Sequence, residues 1–187
     1  DGCMMEDAEL QSVCRTVRRL VDKYKLTVYD GRRGLVRHVM ARKGFATGEI
    51  LCAIVTTDGK FDCAAELAEE LAKRIPAVKS VSRIINDTKT PLWMGGEEYV
   101  LYGKGYITDE LCGCRFEVSA KSFYQINPIQ TEKLYNTAVE MAEITEKSRI
   151  VDAYCGIGTV GIIAAKKKNC TLVGFDISED SVKNAEA

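Results

Sequence analysis

The residues of this chain best suited to chemistry lie between positions 152 and 176. In the run R-I-V-D-A-Y-C-G-I-G-T-V-G-I-I-A-A, Gly156 and Gly158 stand where a β-branched apolar stretch gives way to helical spacing. Residues without a Cβ let a ligand approach the backbone there, and amide groups at the start of the following helix face that ligand. Gly156, Gly158 and Gly161 satisfy G-x-G-x-x-G, and Asp176 follows about where an acid that binds ribose is expected. Taken alone, that spacing also admits a dinucleotide. Asp152 shifts the balance, because an acid ending the first strand suits the cationic amino group of a methionine moiety and repels a pyrophosphate. Asp176 can accept from both ribose hydroxyls of an adenosine. The turn from Asp152 to Thr159 together with Asp176 therefore favours S-adenosyl-L-methionine over NAD as the cofactor.

Each of these residues also has a plainer reading. Asp152 and Asp176 are both placed to cap the helices that follow them. Tyr154 either packs or lies flat against the cofactor. Cys155 sits in the cofactor loop with no basic partner near it in sequence, so it is read as a packing thiol and not a nucleophile.

A second group is electrostatic. The formal net charge is only -1, yet Arg32, Arg33, Arg37, His38, Arg42 and Lys43 fall within twelve residues that contain no Asp or Glu. Such a strip is the footprint expected for phosphate contacts with RNA. His38, the only histidine, either touches RNA or lies on an exposed strand face.

The elements that must position these residues are legible in the spacing. Leu10, Val13, Cys14, Val17, Leu20, Val21 and Tyr24 predict an amphipathic helix over Glu6 to Leu26. Short apolar runs over Leu35 to Met40 and Glu49 to Thr57, with Thr47-Gly48 between them, predict a β-hairpin. A helix over Ala64 to Ile75 and a strand over Val78 to Ile85 follow. The polar stretch from Asn86 to Glu98 reads as a connection, and short strands fit Tyr99 to Tyr106 and Arg115 to Val118. From Pro128 strands and helices alternate: a helix to about Glu143, a strand over Arg149 to Ala153, a helix to about Lys168, a strand over Thr171 to Asp176, and a helix opening at Ser178. The expected fold is α/β, the start of a doubly wound Rossmann-like sheet preceded by a smaller α+β domain. The expected divisions are 1–90, a connecting segment 91–127, and 128–187. A sheet of two parallel strands leaves faces uncovered, so the chain reads as a fragment.

Composition sets the class. With 46% hydrophobic and 28% charged residues the chain can bury a core. No apolar run spans a bilayer and no signal peptide is evident, so a cytoplasmic protein is expected. The eight cysteines are scattered without a C-x-x-C pair, which points to reduced thiols.

The phrase S-F-Y-Q-I-N-P, from Ser122 to Pro128, followed by a helix and by D-A-Y-C-G-I-G-T, resembles the RNA 5-methyluridine methyltransferase family acting on ribosomal or transfer RNA. The stretches G-L-V-R-H-V-M-A-R-K-G, T-G-E-I-L-C-A-I-V-T-T and L-Y-G-K-G-Y-I-T-D-E-L extend the resemblance over most of the chain. It implies that Gln125 contacts the cofactor, that Tyr154 is the aromatic residue of the glycine turn, that Asp176 binds the ribose, and that Arg37 and His38 lie in a basic strand. Family members add a cysteine thiolate to C6 of uracil, which makes C5 able to attack the methyl donor; a base then removes the C5 proton and the thiolate leaves C6. The resemblance puts that cysteine and that base after Ala187, so no catalytic residue is expected among these 187. Cys3 matches one ligand of the family's iron-sulfur members, but its partners are missing, and neither cluster nor other metal is expected. A monomer binding structured RNA, ribosomal before transfer RNA, is the resulting expectation. The alternatives are a methyltransferase of a non-RNA substrate and an NAD-binding oxidoreductase.

Overall fold

The computed structural model describes residues 7–88 and 95–187. The contacts divide the chain into two compact units, residues 1–44 with 48–107 and residues 45–47 with 108–187.

The first unit begins with helix α1, Ala8–Lys23, whose carboxylate cap Asp7 accepts from the amides of Glu9 and Leu10. That cap satisfies amide donors that no helical carbonyl can reach. The expected start at Glu6 lies outside the described residues. Four strands follow as β1 (Val36–Lys43), β2 (Ile50–Thr56), β3 (Val78–Ile85) and β4 (Glu98–Tyr102), with helix α2, Ala64–Arg74, between β2 and β3. Spatial order equals sequence order. β1 and β2 form the expected antiparallel hairpin, β2 and β3 run parallel through the α2 crossover, and β4 returns antiparallel to β3.

Strand β2 is buried along its whole length. Its unbroken run I-L-C-A-I-V is what an interior strand covered on both faces requires. On one face α1 and α2 lay Val13, Val17, Leu20, Leu67 and Leu71 over Ile50, Cys52, Ile54, Val78 and Val81. Burying each such side chain contributes about 1.5–3 kcal/mol before chain entropy is set against it. Glu70 ties the helices together, accepting from Lys23 Nζ at 2.5 Å, Tyr24 Oη at 2.8 Å and Arg74 of its own helix. Lys23 above all, then Tyr24 and Arg74, push its carboxyl down to about 2.

In the second unit β5 (Tyr106–Leu111) and β6 (Cys114–Ser119) pair around Cys112 and Gly113, both at positive φ. Two successive left-handed residues match the twist of a tight hairpin. Helix α3, Pro128–Met141, starts from Asn127, whose side chain accepts from the Gln130 amide. Then come β7 (Arg149–Ala153), α4 (Thr159–Lys168), β8 (Thr171–Phe175) and α5 (Glu179–Glu186). β7 and β8 are parallel, with Arg149 opposite Thr171 and Ala153 opposite Phe175.

Two expectations shift. The single strand expected over Tyr99 to Tyr106 breaks at Gly103, and β4 and β5 enter different sheets. β5 also runs on through Thr108, Asp109 and Glu110, residues too polar to announce a strand. The Asp109 side chain is only 1% exposed because it accepts from the Ala46 amide at 2.9 Å and from Tyr124 Oη at 3.1 Å. The expected connecting segment is thus shared out, with β4 in the first unit's sheet and the β6 hairpin strand in the second unit.

Among the described residues no helix is long and apolar enough to cross a membrane, and no group of three or more His, Cys, Asp or Glu could hold a metal ion. Cys3 lies outside the described residues. The cysteines from Cys14 to Cys170 are free thiols.

Candidate functional site

The glycine turn follows β7 and leads into α4. Tyr154, Gly156 and Gly158 all adopt positive φ, at 59°, 56° and 76°. That conformation is strained for a side-chain-bearing residue and free for glycine. The two glycines differ in what surrounds them. A Cβ on Gly158 would meet Ile162 Cδ1 at 2.7 Å, whereas one on Gly156 would meet nothing within 4 Å. Gly158 is therefore a packing glycine, and Gly156 borders open space that a ligand can use.

Asp176 sits just after β8 and closes on the turn. One of its oxygens accepts from the Gly156 amide and the other from the Ser178 amide, both at 2.9 Å. The Ser178 and Gly156 amides hold its carboxyl below the usual aspartate range, so it stays an ionised acceptor. Each oxygen keeps a further lone pair, enough to receive the two hydroxyls of a ribose. Capping of α5 falls instead to Ser178, whose Oγ accepts from the Ser181 amide.

Asp152 behaves otherwise. Its carboxylate accepts from the Gly161 amide at 3.0 Å, in the first turn of α4. A Cβ at Gly161 would lie 2.6 Å from that same oxygen and 2.7 Å from Leu172 Cδ1. The third glycine of the pattern thus lets α4 pack on the strands, and the plainer capping role of Asp152 is the one on view. Asp152 also borders a pocket of about 270 Å³ that Cys155, Gly174 and Val182 line.

Tyr154 is 86% exposed, with its ring tilted 59° to that of Phe175 at 6.4 Å. Of its two readings, packing in a core is the one this exposure disfavours. Thr159 opens α4, its hydroxyl 3.2 Å from Tyr135 Oη of α3. Burial first, then the Asp152 and Asp176 carboxylates, push the Cys155 thiol up, which suits a packing residue and opposes a nucleophile.

The segment S-F-Y-Q-I-N-P is held at its flanks. Ser122 Oγ lies 2.6 Å from Ser119 Oγ, and Asn184 of α5 donates to both. Tyr124 is anchored on Asp109, and Asn127 caps α3. Gln125 between these anchors is half-buried, and among the described residues no hydrogen bond joins it to the glycine turn.

The basic strip divides into separate roles. Arg32, Arg33 and His38 are exposed. Arg37 is turned inward: its Nη1 donates to the carbonyls of Asn86 and Thr88, and its guanidinium lies 4.8 Å from the Tyr29 ring centre. Lys43 is paired with Asp7 at 3.0 Å and Glu9 at 2.5 Å, acids that are distant in sequence and were invisible to a local count of charges. Arg42 is half-buried, and burial lowers its pKa. The structure therefore corrects the picture of one continuous acid-free strip. The sequence reading also passed over Arg18, which joins Arg37 and His38 along one groove. Arg15 and Arg18 at a three-residue step on the polar face of α1 were the available signal.

No family model matches the chain. It is 38% identical over 188 residues to an uncharacterized RNA methyltransferase of Caldanaerobacter subterraneus subsp. tengcongensis, covering 100% of this chain and 41% of that protein. An uncharacterized RNA methyltransferase of Oceanobacillus iheyensis is 35% identical over 188 residues, with the same coverage. One of Streptococcus mutans is 37% identical over 184 residues, 97% of this chain and 41% of that protein. The chain thus spans about 41% of the length of these curated relatives. Among solved structures it is similar to the Pyrococcus abyssi tRNA (uracil-54, C5)-methyltransferase in complex with S-adenosyl-L-homocysteine. The TM-score is 0.81 at 24% identity, covering 100% of this chain and 45% of the other. The chain accordingly has the mixed α/β, Rossmann-like fold of that methyltransferase over the matched part.

Proposed function

We propose that this chain carries the cofactor-holding and RNA-contacting portion of an RNA methyltransferase. In this reading the whole protein transfers a methyl group from S-adenosyl-L-methionine to C5 of a uridine in structured RNA, ribosomal RNA before transfer RNA. The observation that carries the reading is the Asp176 carboxylate locked beside Gly156, with open space at the glycine and a flat exposed tyrosine two residues before it. The names of the relatives and the uracil-C5 activity named for the Pyrococcus structure support it.

When bound, the cofactor supplies an electrophilic sulfonium methyl. The chain's residues hold it in place for the reaction. Asp176 receives the ribose hydroxyls, Gly156 keeps the backbone low beneath the nucleoside while Gly158 lets α4 pack close behind it, and Tyr154 offers its ring as one wall. Gln125 and Thr159 complete the edge, and the free oxygen of Asp152 takes the amino group of the methionine moiety. Two carboxylates flanking one turn disfavour a pyrophosphate, and with it the oxidoreductase alternative.

The intact gene product, incubated with unmodified RNA and a labelled methyl donor, should place label on uracil C5. Label confined to ribose or to another base would refute the C5 assignment, and absence of any transfer to RNA would refute the substrate class.

A further inference from the structure

A groove of about 410 Å³ runs along the first unit between the exposed side of α1 and the outermost strand β1. Its volume is within the range of small-ligand sites. Val28, 64% exposed, and the half-buried Val39 give it an apolar wall, and the buried Val17 and Val21 of α1 close it off beneath. Arg18, Arg37 and His38 stand along it against a single acid, Asp22. An apolar trough edged by two arginines against one acid fits a ligand with a flat apolar body and a negative charge.

Arg37, part of that lining, donates through Nη1 to the Asn86 and Thr88 carbonyls and lies over the Tyr29 ring. These partners are uncharged, so no carboxylate among them cancels the field of the guanidinium, which acts on an anion in the groove.

We propose that this groove seats one unstacked nucleotide of an RNA strand, its base against Val28 and Val39 and its phosphate between Arg18 and His38, within the field of Arg37. The proposal rests on the RNA reading above and adds to it a site remote in sequence from the glycine turn. A base inside a duplex cannot reach an apolar trough, so the groove selects single-stranded or looped RNA.

The test uses the 187-residue chain and oligouridylate carrying 4-thiouridine. Photocrosslinks mapped by mass spectrometry should fall within residues 17–22 and 36–39. Arg18→Glu and Val28→Asp, both at exposed positions, should each weaken oligouridylate binding by about tenfold or more, and Arg18→Glu should flatten the salt dependence. Lys73→Glu on α2 should bind as the parent does, and a fully paired duplex should compete poorly. If the parent binds RNA but crosslinks elsewhere and both groove variants bind normally, the groove assignment is overturned while the RNA reading stands. If the parent, shown folded by its melting transition, binds neither oligouridylate nor a stem-loop transcript, the RNA reading falls and the groove with it. Should either variant fail to fold, the crosslink map on the parent decides.

Discussion

Asp176 and Gly161 show how one side chain, or the lack of one, sets the site. Because both Asp176 oxygens already hold backbone amides, Asp176→Ala removes two turn contacts along with the proposed ribose anchor. Affinity for S-adenosyl-L-methionine should drop about ten- to a hundredfold by calorimetry, with RNA affinity nearly unchanged. Unchanged cofactor affinity in a folded variant would leave Asp176 a purely structural tie. The depressed pKa gives the pH dependence its sign. The carboxylate contribution to stability is present above the unfolded value and is lost only as pH falls through the lower folded one, so cofactor affinity should stay level down to the ordinary aspartate value of 3.8. Gly161→Ala puts a methyl 2.6 Å from the Asp152 carboxylate, so that either the carboxylate leaves the Gly161 amide or α4 shifts; a loss of about 1–3 kcal/mol in chemical denaturation is expected. The identities of Gly156, Gly158, Asp152 and Asp176 were readable from spacing. Which glycine borders open space and which packs was not, because that depends on Ile162 and Leu172 approaching from a helix and a neighbouring strand.

At the scale of elements, the basic strip and the Glu70 cluster divide structural charges from available ones. Arg37→Ala should lower stability by about 1–3 kcal/mol, since it strips a charged donor from the Asn86 and Thr88 carbonyls. Arg32→Ala with Arg33→Ala should leave melting unchanged, weaken RNA binding across sequences and reduce the salt slope by about two. A slope that stays the same would remove these loop arginines from the interface. Glu70, depressed to about 2, should stabilise the α1–α2 pairing at neutral pH and lose that contribution as pH falls from its ordinary 4.5 through 2. Glu70→Gln should therefore flatten the acid limb of the stability curve over that window. Helices and apolar strands were legible because their patterns are local: α2, β3 and β7 fall within a residue or so of expectation. β5 was not, since its Asp109 is made tolerable by Ala46 and Tyr124, partners that no local window contains.

For the whole molecule, the division into units cuts across the order of the chain. Phe45–Thr47, the connection between β1 and β2, belongs to the second unit: the Ala46 amide and the Thr47 hydroxyl bond to Asp109 and to the Thr108 carbonyl. Those bonds link residues 63 and 61 positions apart. On a ribosome the β1–β2 hairpin is complete well before Asp109 has been made, and at roughly 5–20 residues per second the delay is on the order of seconds. During that interval the tip presents an aromatic side chain and the Ala46 amide to whatever surrounds the nascent chain. Asp109, arriving later, must find a surface already built in order to lose its water. The hairpin tip therefore acts as a template in vectorial synthesis, and slowing translation between the codons for Gly48 and Thr108 should lengthen the time over which a nascent-chain chaperone can engage Phe45.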